Sequence, residues 1–291
     1  MNQITMNEKV SILMPTYNNA EFIGRAIKSI LHQDHQNFEI VVIDNFSEDL
    51  TEEIVNSFGD QRIIYKKIKN KGIIARSRNE AIRLSSGNWV AFLDSDDWWK
   101  KDKLSKCLAQ TRLGYDFIYH RLGRAIEGKK INLSSIGRPS SNNLLRESLL
   151  CDGNIIPNSS VMVSRKIVDQ IGMISEDPNK VTWEDYDYWI KVSTVTNRYK
   201  FINQILGYYW VGRNNNTNPI RTEKNIENMK ICLFNQKKYP NWLLYQDAVT
   251  KYKLKDKVKA NELMLKILKN KPSISLSMKS IARLFQFNLL G

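Results

Sequence analysis

Short apolar runs recur along the first third of the chain, each three to five residues long and rich in β-branched or aromatic side chains. Runs of this kind are typical of strands buried inside a sheet. They predict strands at Val10–Met14, Glu39–Ile43, Ile63–Tyr65 and Trp89–Leu93, and a later run predicts another at Ser160–Val163.

Apolar residues with helical spacing lie between the first two predicted strands. They are Phe22, Ile23, Ala26, Ile27, Ile30 and Leu31. A helical period places them on one face, which predicts an amphipathic helix. Further helices are predicted at Thr51–Phe58 and from about Arg76 to Leu84. Because strands and helices alternate, we expect an α/β fold with a mostly parallel sheet, flanking helices and right-handed crossovers.

Polar residues directly follow three of these strands. Pro15–Asn18 follow the first, Asp44–Ser47 the second and Asp94–Asp97 the fourth. In open parallel sheets ligands bind beyond the carboxyl ends of the strands, so we expect these residues to converge on one site. The sequence has neither a GxGxxG nor a GxxxxGK[ST] motif, which disfavours dinucleotide-binding and P-loop proteins.

The turn after the fourth strand is strongly acidic, because Asp94, Asp96 and Asp97 place three carboxylates within four positions. Their mutual repulsion costs free energy unless a cation offsets it. Hard oxygen ligands suit Mg²⁺ or Mn²⁺, which also bind phosphate oxygens. We therefore expect a divalent ion that bridges the protein to a diphosphate. The alternative is an acidic turn that caps the next helix, since the basic stretch Lys100–Lys103 follows it.

The later part of the chain combines a loop-rich stretch, an acidic helix and a basic tail. Residues 121–155 are mixed in character, and Gly137–Asn143 predicts an excursion over the polar edge of the sheet. Trp183–Ile190 predicts the start of a helix with acids in its first turn. After Asn214–Pro219 the composition becomes basic and helical. The predicted boundaries are 1–120 and 121–218, as two halves of one domain, and 219–291 as a helical extension.

The composition is typical of a soluble globular protein, since 42% of the 291 residues are hydrophobic and 25% are charged. No window approaches the ~20 apolar residues of a membrane-spanning helix, and Met1–Lys9 is too polar for a secretory signal. Cys107, Cys151 and Cys232 are far apart and lack CxxC spacing, which argues against a disulfide framework and against structural zinc. We therefore expect a cytoplasmic location.

Positive charge is concentrated at the end of the chain. The net charge is +14, and residues 219–291 contain fifteen Lys or Arg against five Asp or Glu. Such a segment can attract nucleic acid, anionic lipid headgroups or an anionic acceptor, and a solvated basic helix face explains it equally well.

Four segments, taken in order, resemble the family 2 inverting nucleotide-sugar glycosyltransferases, which have the GT-A fold. They are Val10–Asn18, Glu39–Asp44 with Ser47, Gly72–Asn79 followed by Leu93–Asp97, and Glu184–Asp187. The resemblance covers residues 9–212. It looks closest to bacterial enzymes that build O-antigen, lipopolysaccharide or capsule, and it implies a GT-A (Rossmann-like) domain followed by a C-terminal helical extension.

The resemblance implies a UDP-sugar donor bound at the sheet edge. The implied donor-binding residues are Pro15, Thr16, Tyr17, Asp44, Arg78, Asp94 and Ser95. Asp44 would bind the uracil, with Thr16 and Tyr17 beside the base. Arg78 would lie near the diphosphate and Asp94 near the ribose.

For the metal, Mn²⁺ or Mg²⁺, the resemblance implies Asp96 as a ligand and Asp97 as a further direct or indirect one. The ion would neutralise the departing diphosphate. Many relatives have an additional histidine ligand, but the corresponding stretch Tyr208–Asn215 contains none. The histidines are His32, His35 and His120. We therefore expect Asp96, the diphosphate and water to hold the ion, with weak metal binding in the absence of donor.

Inversion also needs a base that takes the proton from the acceptor hydroxyl. Asp185 matches the Glu-Asp motif of the family, Glu184 would orient it, and Asp187 is the alternative. An acidic helix start beside tryptophans would favour these carboxylates without any catalytic role. Trp99 and Trp183, together with Asp187, are expected on the acceptor side.

The predicted function is transfer of a hexose or N-acetylhexosamine from a UDP-sugar to a bacterial surface-glycan acceptor linked to a lipid pyrophosphate. A sugar nucleotidyltransferase predicts a Gly-rich basic loop after the first strand, and Pro15–Asn19 is not one. A non-catalytic glycan-binding or scaffold protein with the same fold is the other alternative.

The last residues, 242–291, predict paired helices. Ser277–Leu290 combines apolar residues with Lys279 and Arg283, a pattern that also suits a membrane interface. We expect a peripheral contact with the anionic inner face of the cytoplasmic membrane, and no nucleic acid partner.

Overall fold

The structure, a computed structural model, describes residues 8–128, 132–142, 144–212, 218–235, 238–270, 272 and 274–289. These residues divide into two compact units. The first comprises the described residues of Met1–Leu145 and Asn154–Asn214, and the second those of Arg146–Gly153 and Asn215–Gly291.

Within the described residues of the first unit, nine strands form one sheet. They are β1 (Val10–Thr16), β2 (Phe38–Asp44), β3 (Ile63–Lys67), β4 (Trp89–Phe92), β5 (Trp98–Trp99), β6 (Phe117–Ile126), β7 (Asn132–Ile136), β8 (Met162–Ser164) and β9 (Tyr199–Val211). The spatial order is β3-β2-β1-β4-β8-β6-β9-β5, and β7 pairs with β6.

The described residues also contain α-helices, and the first three lie where helices were predicted. In chain order they are α1 (Ala20–Leu31), α2 (Thr51–Asn56), α3 (Ile74–Leu84), α4 (Lys103–Thr111), α5 (Leu145–Asp152), α6 (Arg165–Ile171), α7 (Glu184–Val195), α8 (Pro219–Phe234), α9 (Asn241–Lys253), α10 (Lys257–Lys269) and α11 (Ile274–Leu289). The predicted helix Thr51–Phe58 ends two residues early, and the one predicted from Arg76 begins at Ile74.

The first four strands form the parallel part of the sheet. β1 runs parallel to both β2 and β4, and β2 runs parallel to β3. Side chains alternate along a strand, so Val10, Ile12 and Met14 point to one face. There they pack in a core with the apolar stripe of α1, including Ile23 and Ile27. This arrangement brings the carboxyl ends of β1, β2 and β4 to one edge, as the alternation predicted.

The second half of the sheet is mixed. β8 runs antiparallel to β4 and β6, whereas β6 runs parallel to β9. Because Met162 pairs with Ala91, the residues just before β8 reach the edge where β4 ends. The predicted division at residue 120 falls inside β6, and the two predicted halves share one sheet.

The acidic turn between β4 and β5 is held by β9. Trp98 and Trp99 pair with Tyr208 and Gly207 of β9. The backbone N–H of Trp210 donates to the Asp97 carboxylate at 2.9 Å. These bonds attach the turn to a strand more than a hundred residues further along the chain.

The second unit contains α8–α11 and, apart from its first residue Leu145, α5. A core of its own includes Leu244, Ala248, Met264 and Phe287. Lys230 of α8 donates to the buried Asp247 carboxylate of α9 at 2.7 Å. No helix in the described part of the chain is both long and apolar enough to cross a membrane.

Candidate active site

A cavity of about 430 Å³ opens at the carboxyl edge of the parallel strands, and we call it the first cavity. Its lining includes five of the seven residues predicted to bind a donor, and also Asp96. The lining residues are Pro15, Thr16, Tyr17, Asn19, Asn45, Asn70, Gly72, Ile74, Ser77, Asp94, Ser95 and Asp96. Thr16 is buried and Tyr17 is exposed, so the ring of Tyr17 is available to a ligand.

Asp44, by contrast, is fully buried and is not among the residues that line this cavity. The hydroxyls of Ser47 and Tyr65 donate to its two carboxylate oxygens at 2.6 Å and 2.5 Å, and the Ser47 N–H adds a third bond at 2.9 Å. Burial and the bond to Asp44 raise the pKa of Tyr65, so its hydroxyl remains a donor. Asp44 therefore braces the loop after β2, and its neighbour Asn45 reaches the cavity.

Asn45 belongs to a chain of hydrogen bonds along the cavity wall. Its side-chain oxygen accepts from the Asn70 N–H at 2.8 Å, and the Asn70 side chain donates to the Ser77 hydroxyl at 2.9 Å. Gly72, at φ +74°, donates its N–H to the Asn70 side chain at 2.8 Å. The sequence placed Asn45 at this edge and Ser77 in a matching segment but gave neither a role, and it missed Asn70, for which the turn residues after β3 were the available signal.

Asp94 is the most heavily bonded residue of the acidic turn. One carboxylate oxygen accepts from Arg78 at 2.9 Å and from Asn158 at 3.0 Å. Its backbone N–H donates to the Ser159 hydroxyl at 3.0 Å. These contacts fix the carboxylate at the edge of the first cavity.

Asp96 and Asp97 have different surroundings. Burial, followed by the charge of Asp94, raises the pKa of Asp96 to about 6, and its side chain lines the first cavity. Asp97 is 1% exposed, and burial raises its pKa well above the usual range. The Trp210 N–H already donates to the Asp97 carboxylate, and this contact favours a role for Asp97 in holding the turn.

A divalent ion fits Asp96 as a single protein ligand. Among the described residues, no three or more His, Cys, Asp or Glu side chains are grouped to hold a metal ion. Asp96 faces a cavity large enough for a nucleotide diphosphate, and a carboxylate repelled by Asp94 gains from a cation. The arrangement in which Asp96, the diphosphate and water hold the ion stays a prediction.

A second cavity of about 710 Å³ shares Asp94 with the first. Its lining also includes Arg78, Asp97, Glu184 and Asp185. The second cavity therefore contains the predicted base, whereas the first contains the predicted donor-binding residues.

Arg78 joins the acidic turn to the start of α7. Its guanidinium donates to Glu184 at 2.7 Å and to Asp94 at 2.9 Å, and the side chain is buried. Burial alone would lower its pKa, but the charges of Asp94 and Glu184 outweigh that effect and raise the pKa. The Arg78 guanidinium, which was predicted to lie near the diphosphate, therefore forms hydrogen bonds with two carboxylates beside the site, those of Asp94 and Glu184.

Asp185 has the character of a base that works near neutral pH. Burial, and next the charge of Glu184, raise its pKa to about 7 against the opposing charge of Arg78. The Asn154 side chain donates to one carboxylate oxygen at 3.3 Å, and the Tyr186 N–H donates to the other at 2.7 Å. Such a carboxylate is ionised above neutrality and holds a proton tightly enough to accept one from a hydroxyl.

Asp187, the alternative base, forms ion pairs with Lys180 at 2.7 Å and Lys191 at 3.6 Å. Trp99 and Trp183, predicted on the acceptor side, are only 3% and 2% exposed. Their indole N–H groups donate to backbone carbonyl oxygens at 2.7 Å and 3.0 Å. This burial argues against the prediction that these rings lie on the acceptor side, because neither ring has a free face on which a sugar could stack. Both rings pack in the protein interior instead.

Three further site residues come from the segment before β8. Asn158 and Ser159 bond Asp94, and Asn154 bonds Asp185. Sequence reasoning missed them because it did not establish that β8 is antiparallel to β4. The polar residues Asn158 and Ser159, immediately before the strand predicted at Ser160–Val163, were the available signal.

Comparison with known proteins identifies the family. The model of "Glycosyl transferase family 2" matches residues 11–172. TuaG of Bacillus subtilis, a glycosyltransferase provisionally assigned to teichuronic acid biosynthesis, is 33% identical over 188 residues, which is 63% of this chain and 71% of TuaG. The UDP-Glc:α-D-GlcNAc-diphosphoundecaprenol β-1,3-glucosyltransferase WfaP of Escherichia coli is 28% identical over 204 residues, 70% of this chain and 78% of WfaP. Other relatives are longer, and this chain spans 27% of an uncharacterized Rickettsia bellii glycosyltransferase that is 32% identical.

Two solved structures share the fold. Staphylococcus aureus TarS 1-349 in complex with UDP-GlcNAc superposes with a TM-score of 0.64 at 18% identity, over 90% of this chain and 81% of TarS 1-349. The mannosyltransferase PcManGT of Pyrobaculum calidifontis, in complex with GDP-Man and Mn²⁺, gives 0.61 at 16% identity, over 98% of this chain and 82% of PcManGT. The expected GT-A fold is confirmed.

Proposed function

The chain belongs to glycosyl transferase family 2, and from this membership we propose that it transfers a hexose or N-acetylhexosamine from a UDP-sugar to a lipid-diphosphate-linked glycan, with inversion. WfaP, by its name, takes glucose from UDP-Glc to such an acceptor, and the TarS structure contains UDP-GlcNAc. These two proteins support the proposed donor and acceptor classes.

The observation that carries the proposal is the meeting of the two cavities at Asp94. A donor in the first cavity would lie beside Thr16, Tyr17 and Asp96. An acceptor in the second would lie beside Asp185. The reacting atoms of both substrates would then meet near the residue that the cavities share.

In the proposed reaction Asp185 takes the proton of the acceptor hydroxyl. The hydroxyl oxygen forms a bond to the anomeric carbon while the bond from that carbon to the diphosphate breaks, and UDP leaves. The raised pKa of Asp185 suits this role, because the base must be ionised yet hold the proton it accepts. Arg78 and Glu184 position it through the start of α7.

Asp96 would be the protein ligand of a Mn²⁺ or Mg²⁺ ion, and PcManGT was solved with Mn²⁺. When bound, the ion supplies Lewis-acid stabilisation of the diphosphate charge. Asp97 holds the turn that presents Asp96, through its bond to Trp210.

The experiment is a thermal-shift screen of UDP-sugars with Mn²⁺, followed by a transfer assay. A true donor should raise the melting temperature more than UDP does, since ligands that bind the folded state stabilise it. Asp185→Asn should reduce transfer by about 10²–10⁴-fold while UDP still binds. If no UDP-sugar stabilises the chain, and Asp185→Asn and Asp96→Ala leave turnover unchanged, the proposal fails and a non-catalytic glycan-binding protein is favoured.

We also infer a peripheral contact of α11 with an anionic membrane. The helix is apolar on two sides, because Leu284 and Phe287 pack in the core of the second unit while Met278, Ile281 and Phe285 are 67%, 44% and 64% exposed. At helical spacing the three exposed residues share one face. Lys279 and Arg283 border that face, which suits an anionic lipid surface.

Vesicle co-sedimentation tests this contact. Replacing Met278, Ile281 and Phe285 by Ser should abolish binding to phosphatidylglycerol vesicles, whereas the same substitutions should leave the chain folded by circular dichroism. Unchanged vesicle binding would refute the contact. A loss of self-association in place of vesicle binding would assign the face to a second copy of the chain.

A further inference from the structure

We propose that Arg121, Arg124 and Arg138 form a subsite that binds the diphosphate group of the acceptor. All three line the second cavity, which also contains Asp94 and Asp185. The inference rests on the proposed function, since it assigns the anionic part of the acceptor whose hydroxyl faces Asp185.

Two of these arginines lie on β6, at places where its pairing with neighbouring strands is irregular. Arg121 and Arg124 are three positions apart, and a regular strand would direct them to opposite faces. The register of β6 shifts between Arg121 and Leu122 against β9, and between Gly123 and Arg124 against β7. The unpaired extra residues lie in β9 and β7, and both arginines line the second cavity. Irregularities of this kind are frequent beside active sites.

The position of Arg138 in the cavity lining depends on the glycine that precedes it. Gly137, which precedes it, has φ +86°, a backbone conformation that side chains with a Cβ rarely adopt. A Cβ at this position would lie 2.8 Å from the His120 carbonyl oxygen of β6. The close approach of this segment to β6 therefore depends on glycine, and it places Arg138 in the same lining as the β6 arginines.

The charges of two arginines remain available to a ligand. Within the described residues, neither Arg121 nor Arg124 forms an ion pair with a carboxylate. Arg121 donates to neutral oxygens, the side chains of Asn203 at 2.6 Å and Ser135 at 3.1 Å, and these bonds orient its guanidinium. Arg78 lines the same cavity but is paired with Asp94 and Glu184, so its charge is already neutralised, unlike the charges of Arg121 and Arg124.

A diphosphate fits this combination of charge and shape. Guanidinium groups bind phosphate oxygens through parallel hydrogen bonds, and the guanidinium groups of Arg121 and Arg124, which form no ion pair with a described carboxylate, match a group with several negative oxygens. A cavity of about 710 Å³ lies in the range that holds a small ligand, roughly 300–1,000 Å³. A glycosyl diphosphate can extend from Asp185, at its hydroxyl, to the arginines, at its diphosphate.

The test measures the dissociation constant of inorganic pyrophosphate by calorimetry on the full chain. EDTA is present, so that no metal draws the anion to Asp96, and ionic strength is fixed. Arg124→Gln should weaken binding about tenfold, and Arg121→Gln with Arg124→Gln about a hundredfold, as expected for lost charge-assisted bonds. Arg124→Lys, which keeps the charge without the fork, should be intermediate.

The matched control is Arg83→Gln, which removes the same charge from an exposed pair with Glu80 outside both cavities. It should change the constant by less than about twofold. Equal weakening by the control, or no weakening by the Arg124 variants, would overturn the subsite. If glucuronate binding depends on Arg124 and pyrophosphate binding does not, the assignment to a diphosphate is wrong.

A second readout separates this inference from the proposed function. Arg124→Gln should retain the wild-type thermal shift with UDP and Mn²⁺, because Arg124 is not in the first cavity. A wild-type chain without any UDP response contradicts the proposed function. A normal UDP response with pyrophosphate binding that is independent of the arginines contradicts the subsite alone.

Discussion

The guanidinium of Arg78 donates a 2.7 Å hydrogen bond to the carboxylate of Glu184, 106 positions further along the chain. Both side chains are buried, so the pair joins α3 to the first turn of α7. The same guanidinium bonds Asp94, which lines both cavities. One buried cation thus fixes the acidic turn and the helix that presents the candidate base relative to each other.

Arg78→Met should lower the free energy of unfolding by about 3–5 kcal/mol, because it leaves the Glu184 carboxylate buried without its cation. Urea denaturation monitors the change. Arg83→Met is the matched control, since Arg83 pairs with Glu80 at the surface, and its effect should stay below about 1 kcal/mol. An Arg78→Met chain as stable as the wild type would contradict the role of the pair.

Asp185→Asn should mainly lower kcat, whereas Asp187→Asn should mainly lower stability. Asn at 185 keeps the shape but cannot accept the proton, so kcat should fall by about 10²–10⁴-fold with little change in stability. Asn at 187 removes ion pairs with Lys180 and Lys191, so stability should fall while kcat changes by less than about tenfold. Steady-state kinetics and thermal melts of both variants test these expectations. A large loss of kcat in Asp187→Asn but not in Asp185→Asn would identify Asp187 as the base.

The rate should depend on the ionisation of Asp185. Its pKa is raised to about 7, so kcat/KM should rise with pH up to about 7 and level off above it, because the protonated form cannot act as a base. Glu184→Gln removes a negative charge that raises this pKa, and the acidic limb should therefore move to lower pH. A pH–rate profile measures both. A limb that stays in place in Glu184→Gln would show that another group titrates.

Asn45 and Asp44 should affect UDP binding and stability differently. Asn45 lines the first cavity, so Asn45→Ala should weaken UDP binding about tenfold by removing a hydrogen-bonding side chain. Asp44→Asn disturbs a fully buried carboxylate bonded by Ser47 and Tyr65, so its main effect should be a lower melting temperature. Calorimetry with UDP and Mn²⁺ tests both. Selective loss of UDP binding in Asp44→Asn, without loss of stability, would support the prediction that Asp44 binds the uracil.

The order of strands and helices in the first half followed from the sequence because it depends on local periodicity. β-branched runs such as Val10–Met14 bury both faces of a strand, and the spacing of Ile23, Ile27 and Ile30 marks one face of a helix. The alternation of strands and helices predicted a parallel sheet, and it therefore implied that Tyr17 and Asp94 lie at the same carboxyl edge. Both residues line the first cavity. The Glu-Asp pair at residues 184 and 185 was found through the resemblance of its motif.

Contacts between distant segments required the tertiary structure. The direction of β8, which brings Asn158 to Asp94, depends on pairing with β4 and leaves no periodic signal in the sequence. The register shifts beside Arg121 and Arg124 depend on pairing with β7 and β9 in the same way.

Burial likewise could not be read from residue type. Trp99 and Trp183 are aromatic residues beside acidic motifs, and only their neighbours decide whether a ring packs in the core or faces a ligand. The sequence by itself determined the parallel α/β frame and the acidic edge, since these depend on local periodicity and motif. The tertiary structure decided which side chains reach each cavity, because that depends on pairings between residues far apart in the chain.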